Sequence, residues 1–217
     1  MTKPLMITAL MMSAVCLSGC DNPADSTYTT EATEAKEVVP VQTPGEAQTL
    51  ALTGENTTIE WTGSKPTGSA HVGGFKSLAG TATVAGQTLV AVEATIQIKS
   101  MWSDNEKLTQ HLLNPDFFES ETYPESTFVS TQVREATAEE KAGEAGGATH
   151  WVTGNLTLKG VTKSITFPAT IQTDEQAYQL NAEFDINRGQ FGMNYGLADA
   201  AIRDEVVIRL KIDLVRR

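Results

Sequence analysis

Val206-Val207-Ile208-Arg209-Leu210-Lys211-Ile212-Asp213-Leu214 alternates from end to end, with Val206, Ile208, Leu210, Ile212 and Leu214 on one side and Arg209, Lys211 and Asp213 on the other. Successive side chains of a β-strand point to opposite faces, so this stretch reads as a strand with one apolar and one solvated face. The same period of two runs through Ile59 and Trp61, through Val90, Val92, Ala94, Ile96 and Ile98, through Ile165, Phe167, Ala169 and Ile171, and through Leu180, Ala182, Phe184 and Ile186. Shorter patterns around Phe75 to Val84, Thr127 to Val133 and Trp151 to Leu158 bring the total to about eight strands separated by turn residues. One-sided strands in that number predict an all-β domain, an antiparallel barrel or sandwich.

One interruption is helical. Ser103 followed by Glu106 reads as a capping box, Leu108 and Leu112 then share a helical face, and Asn114-Pro115 ends the pattern. A helix of about ten residues is therefore expected between the third and fourth strands, where it lids a barrel mouth or simply plugs one end. The stretch Glu135 to Ala148 is acidic and rich in Gly and Ala, and is expected to be a long exposed loop.

The first residues have a different character. Lys3 precedes an apolar run from Leu5 to Leu17, too short for a permanent membrane span, and Leu17-Ser18-Gly19-Cys20 closes it. This predicts a bacterial lipoprotein signal peptide over 1–19, with Cys20 as the acylated first residue of the mature chain; the alternative is a plain secretory signal. Two or three acyl chains on one residue anchor stably where a single chain does not. Residues 20–56 are rich in Thr, Glu, Ala and Pro and lack sustained periodicity, so they are expected to form a disordered tether reaching on the order of 30 Å, followed by one folded domain over 57–215. The expected place is the bacterial cell envelope, with the domain in the periplasm. Asp21 resembles the inner-membrane retention signal of enteric bacteria, and the choice of inner or outer membrane stays open.

Chemistry is sparse. The chain has 27 acidic and 16 basic residues and a net charge of −11, which argues against nucleic acid as a partner. With Cys16 in the signal and Cys20 acylated, no thiol remains for a disulfide, a metal or nucleophilic catalysis. His71, His111 and His150 lack the short spacing of a metal-binding element, and nucleophile elbows, phosphate loops and dinucleotide fingerprints are absent. Glu119 and Glu121 have nothing beside them to desolvate either group, so they do not read as an acid and base pair. No enzyme, metal or cofactor is expected. Asp185 and Arg188 read as a structural pair at a strand end.

The order of several motifs is more specific. Asp104-Asn105-Glu106-Lys107-Leu108, Asp116-Phe117-Phe118 and Tyr123-Pro124-Glu125-Ser126-Thr127-Phe128 are followed by Gly154-Asn155-Leu156-Thr157-Leu158-Lys159-Gly160-Val161-Thr162-Lys163. Then come Phe184-Asp185-Ile186-Asn187-Arg188, Phe191-Gly192-Met193 and Asp204-Glu205-Val206. From about Thr57 to Leu214 this series resembles the YceI-like family of lipid and polyisoprenoid-binding proteins. The resemblance implies a lipocalin-like barrel of eight antiparallel strands holding a polyprenyl chain or comparable amphiphile, in a carrier or storage role without catalysis. The compact stretch Lys65 to Phe75 departs from the longer Lys- and His-containing segment of many members.

A barrel of eight strands can pack solid or hold one small ligand, and alternation alone selects a face without deciding which. The expected lining is Ile59, Trp61, Phe75, Val92, Ile96, Leu156, Phe167, Phe184 and Ile208, with Leu108, Leu112, Phe117 and Phe118 at the helical mouth. Each buried methylene of a ligand is worth about 0.8 kcal/mol, so a few isoprene units suffice for tight binding with weak chain specificity. The leading expectation is a membrane-tethered module that sequesters an isoprenoid, quinone tail or fatty-acid-like chain. The alternative is a structural or interaction lipoprotein with a packed barrel and no ligand, its acidic loop touching a partner; a homodimer is left open.

Overall fold

The computed structural model describes residues 22–39, 47–143 and 145–215. The strands in chain order are β1 (Tyr28–Thr29), β2 (Thr33–Glu34), β3 (Ala47–Thr53), β4 (Thr57–Ser64), β5 (Ala70–Phe75), β6 (Leu78–Ala85), β7 (Thr88–Gln97), β8 (Met101–Ser103), β9 (Glu125–Glu135), β10 (His150–Leu158), β11 (Val161–Thr173), β12 (Ala177–Asn187) and β13 (Glu205–Val215). The α-helices are α1 (Glu106–Leu112) and α2 (Ala138–Ala142).

Register reduces these strands to eight long paths. Ala47 lies opposite Ala85 and Thr53 opposite Ala79, while Glu60 lies opposite Gly74 and Ser64 opposite Ala70. β3 and β4 therefore run in one direction along a single path, and β5 continues into β6 as its antiparallel neighbour. β7 continues into β8 in the same way, with β7 paired to β6 and β8 to β5. β9, β10, β11, β12 and β13 follow as an antiparallel series, and β13 returns to β4. The sheet thus closes on itself, which selects the barrel from the two arrangements, barrel or sandwich, that the eight one-sided patterns allow.

The inward faces carry the core. At the end bearing the β6–β7 and β11–β12 turns, Leu50, Val84, Leu89, Ile171, Tyr178 and Leu214 are all buried, and the Tyr178 hydroxyl donates to the carbonyl of Gly86 at 2.7 Å. Leu89 holds an inward place where the alternation puts Val90. Thr83 lies opposite Ala91 and Val84 opposite Leu89, so Val90 is the extra residue of a bulge and the face flips by one.

Three further expectations change. First, α1 is seven residues long and is capped by Asn105, whose side chain accepts from Leu108 N at 3.1 Å; Ser103 instead donates to the Asn105 carbonyl. Second, Glu135 to Ala148 is not an open loop over its described residues. Thr137 and Glu140 form a capping box that starts α2, and Ala136, Ala145 and Ala148 bury themselves around Trp151.

Third, most of the described part of the tether expected over 20–56 is built into the fold. Ala47–Thr53 is a strand of the barrel, so the domain starts before residue 57. Farther upstream, β11 and β12 pair with each other only over Thr170–Thr173 and Tyr178–Asn181, and their remaining lengths leave a seam. β1 pairs in parallel with Phe184 and Asp185 on one edge of that seam, and β2 pairs with Lys163 and Ser164 on the other. A chain rich in Thr and poor in large apolar residues can do this because the exposed edges offer backbone hydrogen bonds. The expected signal peptide and Cys20 lie outside the described residues.

Candidate functional site

The barrel is hollow in its other half. A cavity of about 380 Å³ extends from Leu52, Leu180 and Ile212 at its floor to Lys65, His71 and Arg203 at the opposite end, within the size range of small-molecule sites. Its β13 wall consists of Val206, Ile208, Leu210 and Ile212, a run of seven residues whose six steps cover about 20 Å of strand.

All thirteen residues expected to contact a ligand line this cavity: Ile59, Trp61, Phe75, Val92, Ile96, Leu108, Leu112, Phe117, Phe118, Leu156, Phe167, Phe184 and Ile208. The nine strand positions, Ile59, Trp61, Phe75, Val92, Ile96, Leu156, Phe167, Phe184 and Ile208, were selected by alternation, and closure of the sheet turns their common face inward. Phe167 of β11 and Phe184 of β12 stack across the seam with centroids 4.2 Å apart and planes 13° from parallel, so the wall is bridged by rings inside and by β1 and β2 outside. Two glycines make room for large rings. A Cβ at Gly73 would collide with the indole of Trp61, and one at Gly154 would collide with the ring of Phe128.

The open end carries residues that alternation did not flag. His111 stands three residues after Leu108 on α1, hence on the same helical face, and this spacing was the available signal. Its ring meets Phe117 and Tyr195 at centroid distances of 5.2 and 4.9 Å, and its Nε2 lies 2.8 Å from Asp116 Oδ2. His71 faces the cavity as well, with Nδ1 2.9 Å from Asp104 Oδ1. Neither histidine joins a metal-binding group, and no cluster of three such ligands occurs among the described residues.

The connection from β12 to β13 forms the far lip and is organised by Arg188. This buried guanidinium pairs with Asp199 at 2.7 Å and Asp204 at 2.9 Å, and donates to the carbonyls of Met193 and Arg203. The hydrogen bond from Arg188 holds the Asp199 carboxyl below the usual carboxylate range. Arg188 therefore does not pair with Asp185, contrary to the sequence expectation. Asp185 is fully buried and points outward to the N-terminal segment, accepting from the hydroxyls of Thr27 and Thr29 at 3.2 and 2.9 Å. Burial raises its carboxyl above the ordinary range. Lys159 closes the rim from the β10–β11 turn by donating to the carbonyls of Pro115 and Gly192.

Two buried donors of the cavity-lining set have no acceptor. They are Nε1 of Trp61 and Nε of Arg203. In a wall made mostly of Leu, Ile, Val and Phe, an unmet donor is costly unless water or a bound molecule supplies its acceptor. Glu119 and Glu121 do not line the cavity; Glu121 pairs with Lys99 at 2.8 Å, and Glu119 accepts from Thr122.

Comparison with known proteins agrees with this architecture. A UPF0312 protein of Pseudomonas putida is 33% identical over 149 residues, covering 64% of this chain and 72% of the relative. Burkholderia cenocepacia BcnA superposes with a TM-score of 0.59 at 24% identity, covering 74% of this chain and 96% of that one. A polyisoprenoid binding domain from Saccharophagus degradans superposes with a TM-score of 0.58 at 16% identity, covering 79% of this chain and all of that one. The model of the YceI-like domain matches residues 50–214, which takes in β4 through β12, all of β13 but Val215, and the whole cavity wall, and this chain belongs to the YceI-like domain family.

Proposed function

We propose that the chain is an envelope lipoprotein, acylated at Cys20, whose barrel takes up a polyisoprenoid or similar long-chain amphiphile and shields it from water in the periplasm. The observation that carries this reading is the cavity: about 380 Å³ of interior, walled by aliphatic and aromatic side chains and reaching the surface at one end. A barrel packed solid would fill this volume with side chains, so the space supports the ligand-holding reading over the packed one. The Saccharophagus relative, described as a polyisoprenoid binding domain, supports the same class of ligand.

The physical account is simple. Chain methylenes leave water at about 0.8 kcal/mol each, and a smooth apolar wall accepts prenyl, quinone-tail or acyl chains with little discrimination. The unmet donors of Trp61 and Arg203 favour an amphiphile with an acceptor-bearing head over a plain hydrocarbon. The action is carriage or storage. Nothing in the wall supplies a nucleophile beside a base, so no covalent step is assigned to it.

The experiment uses Cys20→Ala, which removes the acylation site. Organic extraction of the purified protein followed by mass spectrometry is expected to recover a long-chain amphiphile, and the emptied barrel is expected to bind an added polyprenyl alcohol. A barrel that is empty as isolated and refuses prenyl chains overturns the reading. Mass spectrometry of the mature N-terminus of the unaltered chain tests acylation separately.

A further inference from the structure

The start of the described chain lies at the open end of the barrel. The Ser64 hydroxyl donates to Asn22 Oδ1 at 3.0 Å in a buried contact, and Ser64 is the last residue of β4, beside the lip residue Arg203, whose amide donates to the Ser64 carbonyl. Asn22 also caps the short helical turn Pro23–Ser26, which rests on β13. The chain is then held along the seam by Thr27, Thr29 and Thr30 on Asp185 and by the two short strands. Cys20 is two residues before Asn22, so an anchor there can stand no more than about 7 Å from a point fixed on the rim.

We infer that the barrel sits mouth-down on the bilayer, held against it by an anchor that leaves the fold at the rim of the cavity. This rests on the acylation reading. The surfaces of the two ends fit such a placement. Val72, at the open end beside Asp104, is one of four large hydrophobic side chains exposed among the described residues. Val38 and Val39 are two more, and only Glu37 separates them from Lys36, whose backbone is bound by Asn155 in the open half of β10. The closed end presents Gln87, Asp174, Glu175 and Gln176, and the fourth exposed hydrophobic, Val215 opposite Ala177, stands alone among them. Mouth-down placement lets a chain slide from bilayer to cavity without crossing water, so the anchor sets the direction of exchange as well as the location.

Hydrogen exchange on the full chain, purified from membranes and reconstituted into phosphatidylethanolamine and phosphatidylglycerol vesicles, tests this. Amides of α1 and of the β4–β5 turn are expected to exchange several-fold more slowly on vesicles than in detergent-free solution of Cys20→Ala, with no change at the β6–β7 and β11–β12 turns. A long Gly/Ser spacer inserted between Asp21 and Asn22 is expected to abolish that protection. Protection at the closed end, protection at neither end, or protection that survives the spacer overturns the inference. If the native chain proves unacylated, coupling Cys20 to a maleimide-bearing lipid supplies the tether chemically, so the orientation is decided apart from the acylation reading.

Discussion

The two halves of one barrel are built from the same alternating strands, yet one is solid and the other hollow. Around Leu89, Ile171, Tyr178 and Leu214 the residual void is about 10 Å³, room for one water molecule at most, whereas the half above Leu52 and Ile212 encloses about 380 Å³. Tyr178 reaches across the closed end to the Gly86 carbonyl, and Leu50, Val84 and Leu214 fill the remaining space. In the open half the rings stack along the wall, Phe167 on Phe184 and Phe128 beside Phe167 at 5.8 Å, and so leave the axis free. The lesson is that side-chain size alone does not decide filling; the direction in which the large groups lie does.

Matched substitutions can break this comparison. Ala82, buried in the closed half, and Ala94, on the cavity wall, occupy equivalent inward places on neighbouring strands. Ala82→Trp is expected to cost about 3 kcal/mol or more in urea unfolding, because nothing there can yield. Ala94→Trp should leave stability within about 1 kcal/mol while it abolishes prenyl binding, since the added ring enters empty space. Equal costs at the two sites would mean that the hollow half is not hollow in solution.

Truncation gives the reverse contrast on β13. Leu214→Ala removes a side chain packed on every side and is expected to cost about 3 kcal/mol, while Leu210→Ala, which faces the cavity, should cost about 1 kcal/mol because part of its surface has no neighbour to lose. The same denaturant titration reads both.

The seam tests whether the hollow half depends on the N-terminal segment. Thr27→Val with Thr29→Val removes both hydroxyls from buried Asp185 and is expected to cost about 2 kcal/mol. It should also speed the exchange of β11 amides along the seam while those of the closed half keep their protection. Because burial raises the Asp185 carboxyl, the folded state holds its proton longer than the unfolded chain. Stability from this group is therefore lost as pH rises from the ordinary carboxylate range through the raised value, and Asp185→Asn should flatten that part of the pH profile.

The smallest effect is expected outside the barrel. Hydrogen bonding to Arg134 pulls the Glu140 carboxyl from 4.5 to about 2, so its contribution is complete above the ordinary value and disappears as pH falls toward about 2. Glu140→Gln should remove this acid-side slope while leaving prenyl binding untouched. Both groups are solvent-facing, so the change in unfolding midpoint at neutral pH should be slight and should vanish in high salt.

The apolar alternation by itself determined the inward faces, and with them most of the wall: all nine strand residues expected in the lining reach the cavity, because a period of two leaves a strand only two ways to face. Leu108 and Leu112 likewise marked the face of α1, and His111 was legible on that same face. Local pattern failed where a partner far along the chain decides the outcome. The bulge at Val90 arises from the register with Val84, and Arg188 leaves Asp185 for Asp199 and Asp204 once the lip has folded over it. The segment from Asn22 to Glu34 has no apolar period because it docks through hydroxyls and backbone groups onto edges that exist only after β11 and β12 have parted. Hollowness too belongs to the tertiary structure. A strand's pattern names the side that leaves water, but the distance between opposite walls is set by closure of the whole sheet and by how the rings lie upon it.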